Sequence, residues 1–250
     1  MHNKVQTRPG AGVGVAPFLS VNRLSASYGR VQILHDISFD LYGGEIVGIL
    51  GRNGAGKTTL LKSIMGIVRP SEGTVTLQGA TSLDGFAAHD VAKAGVGYVP
   101  QGRGIFPALT VIENLRVSQY AQSKSDDHVD AMIDLFPALK PHLGRRGGGL
   151  SGGQQQILAL ARALVGEPKV LLLDEPSEGI QPSILQSIIE ILTGLMQREE
   201  LSIVLVEQNL DFAAELSNRA YLMDMGRIVK PLDKTDLDAN RLARDLMLAN

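Results

Sequence analysis

Apolar residues along the chain follow two rhythms, and the change of rhythm divides it. ILHDISFDL alternates at Ile37, Phe39 and Leu41, the period of a strand with one buried face. IVGIL (46–50) is continuously apolar, and KVLLLD (169–174) is the most buried-looking strand of all. Phe18 to Tyr28, GTVTLQG, VGYVP and SIVLVE read as further strands, and YLMDMGRIV reads as a hairpin. Helical spacing appears from Lys57 to Met65, over 182–198 and over 210–217. From about 111 to 164 the pattern is mostly helical, broken by GRRGGGL. Strands at both ends therefore enclose a helical insert. The expectation is an α/β fold with a mostly parallel core sheet, an antiparallel β flank and a helical subdomain at 111–164. Residues 1–17 read as a flexible leader, 18–230 as the domain and 231–250 as a polar tail with some leucines.

Composition narrows the function classes. The 250 residues suit one α/β domain with a smaller subdomain, or two small domains. No internal repeat is visible, so one such unit is expected. A hydrophobic share of 44% against 20% charged implies a sizeable core. A net charge of -2 gives no broad basic footprint for nucleic acid. The absence of cysteine excludes disulfides and thiolate chemistry and fits a cytosolic location. No apolar run approaches a membrane span, so any membrane crossing falls to another polypeptide.

GRNGAGKTT is the strongest chemical signal. Gly51, Arg52, Asn53, Gly54, Ala55, Gly56, Lys57, Thr58 and Thr59 follow a buried strand and open a helix. Glycines at these places let backbone N–H groups wrap around phosphate oxygens, and the helix start adds a favourable field. Lys57 is placed to reach the β- and γ-phosphates, and Thr58 to offer its hydroxyl to Mg²⁺. VLLLDE carries Asp174 and Glu175 to the C-terminal end of a strand, where open α/β sheets place ligands. Asp174 suits a Mg²⁺ water shell, and Glu175 suits polarisation of an attacking water. Gln101, after Pro100, can coordinate Mg²⁺ or orient water, or simply bond a loop. Tyr28 can stack on adenine or cover a sheet edge.

LSGGQQQ (150–156) poses a second phosphate-like site. Ser151 can cap the helix that follows, but a cap alone explains Gly152, Gly153 and Gln154 less well. The stretch lies in the helical insert, apart from the phosphate loop. The natural solution is intermolecular: this surface meets the γ-phosphate held by another subunit.

The ordered set GRNGAGKTT, Gln101, LSGGQ and VLLLDE resembles the ATPase domain of an ABC transporter, over about Phe18 to Val229. The resemblance implies ATP with Mg²⁺ sandwiched between the phosphate loop of one domain and the Ser151–Gln154 signature of its partner. It implies adenine stacking by Tyr28, a general base at Glu175 and a γ-phosphate and Mg²⁺ link at Gln101. It further implies a second related ATPase subunit, two transmembrane permease subunits and, indirectly, a solute-binding protein, at the cytoplasmic face of the inner or plasma membrane. The segment 101–111 is the expected docking surface, although Phe106 and Pro107 can also pack internally. YVPQGRGIFPALTVIENL, LFPALK, DEPSEGIQPSI and VEQNLDFA are similar to the branched-chain amino-acid uptake branch, and within it to urea and short-chain amide importers. Urea or a short-chain amide is thus the first expectation for the solute, and branched-chain amino acids the alternative.

Two departures stand out. Gln208 occupies the place where most relatives have a histidine; it can position the γ-phosphate but takes no proton at neutral pH. Gln181 replaces a common aspartate, which leaves Ser177, Glu178 and Gln181 to line the partner interface by hydrogen bonds. The five histidines are expected to be surface or packing residues. A P-loop kinase would leave LSGGQ and the Asp174–Glu175 pair unexplained. A non-transport ABC machine would be expected to carry a second unit or long inserts.

Overall fold

The computed structural model describes residues 16–197 and 201–237; residues 1–15 of the expected leader and 238–250 of the expected tail lie outside the described residues. In chain order the elements are β1 (Leu19–Tyr28), β2 (Val31–Leu41), β3 (Ile46–Leu50), α1 (Lys57–Ile64), β4 (Pro70–Leu77), β5 (Thr81–Ser82), α2 (Ala88–Lys93) and β6 (Val96–Val99). Then come α3 (Val111–Ala121), α4 (Asp126–Leu135), α5 (Gly152–Leu164), β7 (Val170–Asp174), α6 (Pro182–Gln197), β8 (Ser202–Glu207), α7 (Leu210–Leu216), β9 (Arg219–Asp224) and β10 (Arg227–Leu232).

Six strands form the core sheet in the order β10-β9-β3-β8-β7-β6. All neighbours are parallel except the β9–β10 hairpin at one edge. The other four strands form an antiparallel sheet, β2-β1-β4-β5. The continuous apolar runs occupy the centre of the parallel sheet because both of its faces are covered. Val170 and Leu172 of β7 join one core with α1 and the antiparallel sheet, while Leu171 and Leu173 join the other with α3, α5, α6 and α7. Val204 and Val206 of β8 repeat the first choice, and Ile203 and Leu205 the second. Each such side chain, once buried, contributes roughly 1.5–3 kcal/mol.

The two sheets are clasped by Arg219. Its guanidinium pairs with Glu45 at 3.0 Å, donates to the Asp40 carbonyl at 2.6 Å and donates to the Tyr221 hydroxyl at 2.6 Å. The alternation read in β2 places Ile37, Phe39 and Leu41 in the core between the sheets, with Leu34. A left-handed backbone at Asp36 (φ 56) interrupts the pairing between Leu34 and Ile37. Two short elements, β5 and α2, escape a periodicity reading because each is shorter than one pattern repeat can resolve. The last hairpin strand also runs to Leu232, two residues into the expected tail, where Leu232 and Leu237 are buried.

Candidate functional site

The strands β3 and β7 deliver the two charged groups of the site from neighbouring positions around β8. Between β3 and α1 the chain turns through Gly54 (φ 83) and Gly56 (φ 102), conformations that L side chains rarely adopt. At Gly51 a side chain would collide with the Met223 carbonyl. Gly56 precedes α1 without any side-chain cap, so the leading N–H groups of α1 have no side-chain acceptor there. Lys57 is buried; its Nζ donates to the Gly51 carbonyl at 2.8 Å and the Arg52 carbonyl at 3.0 Å, and pairs with Glu175 Oε1 at 3.0 Å.

At the end of β7, Asp174 is 1% exposed. Thr58 Oγ1 donates to its Oδ1 at 3.0 Å, and the Tyr98 hydroxyl donates to its Oδ2 at 3.1 Å. Burial pushes the Asp174 carboxyl up from its usual range, and those two donors oppose the shift. Burial and the Asp174 charge together push the Tyr98 phenol far up, so it remains a donor. Glu175 has φ 48, which costs a residue with a side chain on the order of 1–2 kcal/mol. Its N–H donates to the Val206 carbonyl at 3.0 Å and holds that turn. Gln101 Nε2 donates to Glu175 Oε2 at 3.3 Å and Glu178 Oε2 at 3.1 Å. Lys57, Thr58, Gln101, Asp174 and Glu175 are therefore gathered by direct contacts. Gln208 is exposed just beyond β8, and Tyr28 is half exposed where β1 turns into β2.

No group of three or more His, Asp or Glu among the described residues could hold a metal ion by itself. One hydroxyl, one carboxylate and one amide oxygen fit a cation that takes its remaining oxygens from substrate phosphates and water, the habit of Mg²⁺.

The LSGGQ stretch is built differently. Ser151 and Gln154 form a reciprocal capping box on α5: the Ser151 side chain accepts from Gln154 N at 3.3 Å, and Gln154 Oε1 accepts from Ser151 N at 2.9 Å. The two glycines have neighbours within the chain. A Cβ at Gly152 would lie 2.9 Å from the Arg103 guanidinium, and one at Gly153 would lie 3.0 Å from Ile184 of α6. Arg103 Nη1 donates to Gln155 Oε1 at 2.9 Å, and Arg162 Nη2 donates to the Gly104 carbonyl at 2.6 Å. The Arg162 guanidinium also lies 5.0 Å from the centre of the Phe106 ring. The segment after Gln101 is thus fastened to α5. Phe106 packs on Arg162 and is 44% exposed.

Sequence reasoning missed two contacts. Tyr98 reaches Asp174 because β6 pairs with β7, and its only signal was a polar group inside an apolar strand. His142, half-buried and within the expectation of a surface or packing residue, has its Nε2 2.9 Å from Gln154 Nε2. Nothing local in the sequence marks it.

Comparison with known proteins agrees with this geometry. Residues 34–178 match the ABC transporter family. The chain is 42% identical over 232 residues to BraG, the high-affinity branched-chain amino acid transport ATP-binding protein of Pseudomonas aeruginosa, covering 92% of this chain and 99% of that one. It is 31% identical over 229 residues to LivG, the high-affinity branched-chain amino acid transport ATP-binding protein of Escherichia coli K12, covering 84% and 89%. A solved ATP-binding subunit of an ABC transporter superposes with a TM-score of 0.78 at 25% identity, over 92% of this chain and 94% of that one. No helix among the described residues is long and apolar enough to cross a membrane. The chain belongs to the ABC transporter family as its ATP-hydrolysing subunit.

Proposed function

We propose that the chain powers uptake of branched-chain amino acids through a separate permease. The 42% identity to BraG across nearly the whole of both chains carries this reading. The relatives above favour it over the urea or short-chain amide solute expected from the sequence. As in the sequence reading, the working assembly is taken to hold a second related ATPase subunit, two permease subunits and a solute-binding protein, at the cytoplasmic membrane face.

In this reading residues 51–59 wrap the triphosphate with backbone N–H groups, and Lys57 turns from its loop carbonyls toward the β- and γ-phosphates. Tyr28 stacks on the base. Thr58 and Asp174, already bonded to each other, hold Mg²⁺ with Gln101, and bound Mg²⁺ supplies neutralisation of phosphate charge. Glu175 orients and deprotonates the attacking water. Its present partners, Lys57 and Gln101, are the two groups that a γ-phosphate would draw away from it. Gln208 donates a hydrogen bond to the γ-phosphate. Ser151, Gly152, Gly153 and Gln154 close over the nucleotide of the partner subunit. Segment 101–111, with Phe106 exposed, meets the permease and carries the closure through Arg103 and Arg162.

The test is the assembled complex in vesicles with its solute-binding protein. Wild type should hydrolyse ATP faster when leucine, isoleucine or valine is supplied, and Glu175→Gln should lower turnover by about 10²–10⁴-fold while ATP still binds. Stimulation by urea and not by these amino acids would overturn the solute, and an active Glu175→Gln complex would overturn the base.

A further inference from the structure

Glu207 ends β8 with 1% of its surface exposed, and the mechanism above gives it no task. Its carboxylate accepts three backbone N–H groups: Ser177 on Oε1 at 3.0 Å, and Gln208 and Asn209 on Oε2, each at 3.0 Å. No Lys, Arg or His among the described residues forms an ion pair with it. All three neighbours are donors, so the ionised form fits the cradle, although burial pushes the carboxyl up from its usual range. An unpaired carboxylate is an expensive group to bury.

Helix capping does not account for it. Asn209 already caps α7, its Oδ1 accepting from Phe212 N at 3.2 Å. Glu207 reaches instead to Ser177, thirty positions earlier in the chain. The main chain beside it completes the pattern. The Glu207 carbonyl accepts from Gly51 N at 3.4 Å, and the Val206 carbonyl accepts from Glu175 N at 3.0 Å. The start of the phosphate loop, Glu175, the loop behind it and the segment presenting Gln208 all converge on the end of β8.

We propose that Glu207 is a positioning residue for ATP hydrolysis, yoking the loop behind Glu175 to the segment presenting Gln208 so that both move as one piece. It touches neither nucleotide nor water; it fixes the spacing between the two groups that do. Three of its partners are backbone N–H groups, which any side chains at 208 and 209 would leave in place, and the Ser177 side chain adds a further hydrogen bond on the other side of the yoke. The inference rests on the proposed roles of Glu175 and Gln208.

The experiment uses the assembled complex. Glu207→Gln keeps the shape but offers one acceptor oxygen where two are used, so one side of the yoke is released. Turnover should fall about tenfold, with KM for ATP within about twofold of wild type, because geometry at the reacting centre is lost and not nucleotide binding. Gln208→Ala should then cost much less in the Glu207→Gln background than alone, the mark of coupled residues. A folded Glu207→Gln complex with unchanged turnover, or full multiplication of the two effects, overturns the proposal. Amide exchange on the unmodified complex provides the measurement that needs no variant. Adding Mg²⁺ and ATP should change protection in 176–180 and 207–210 together and in the same direction, and a change in only one overturns the yoke. Absence of ATP hydrolysis by the wild-type complex would instead count against the function itself.

Discussion

The two helices that open on phosphate-like motifs begin in opposite ways. α1 starts from Gly56 in a left-handed conformation with no side-chain cap, and a buried lysine stands at its first position. α5 starts from Ser151 in a complete capping box, in which the Ser151 side chain accepts from Gln154 N and Gln154 Oε1 accepts from Ser151 N. A helix start without a cap gains most when an anion supplies the missing acceptor; a capped one holds its shape alone. The first suits a site that binds nucleotide within one chain. The second suits a surface that waits, fully formed, for a ligand brought by another subunit.

That contrast can be broken at either end. Lys57→Ala removes the cation that pairs with Glu175 and that, in the proposed mechanism, faces the phosphates. It should abolish measurable ATP binding and cut turnover by about 10²-fold or more, read by nucleotide titration and steady-state hydrolysis. Ser151→Ala should act at the other end. Nucleotide affinity of the isolated chain should be unchanged, while hydrolysis by the assembled complex drops about tenfold and the loss of the cap lowers stability by about 1 kcal/mol. Equal loss of nucleotide affinity in the isolated chain would erase the distinction between the two helix starts.

The smallest effect concerns a third capped helix. Glu113 completes the box on α3, and hydrogen bonds from the Thr110 backbone, then its side chain, hold its carboxyl below the usual range. A lowered folded-state value means that its stabilisation is in place above the ordinary glutamate pKa of about 4.3 and is lost as pH falls through the lowered value. The difference in melting temperature between wild type and Glu113→Gln should therefore be visible at neutral pH and shrink in acid. A difference that grows in acid would show that the box holds the protonated form.

The sheet centre and the phosphate loop were legible because their signals are local. Ile46 to Leu50 and Val170 to Asp174 are continuous runs, and strand, glycines and lysine stand side by side around residue 57. The contacts that organise the site are not local. Tyr98 meets Asp174 across a parallel pairing, and Glu207 meets Ser177 across a whole strand–helix unit; neither leaves a periodic trace. Gly152 and Gly153 show a different limit. Their place before α5 suggested close approach of a phosphate, and within the chain Arg103 and Ile184 also need the space that a side chain would fill. A glycine records that something comes close without saying what.

The Arg219 clasp constrains what can move. It pins the sheet bearing Tyr28 to the sheet bearing the phosphate loop through Glu45, Tyr221 and the Asp40 carbonyl. If Tyr28 stacks on the base as proposed, the clasp ties the base-facing sheet to the phosphate-facing one by the Asp40 end of β2, the far end of that strand from Tyr28. The two grips then share one frame like the jaws of a caliper, and the stroke proposed to reach the permease is left to the α3–α5 block.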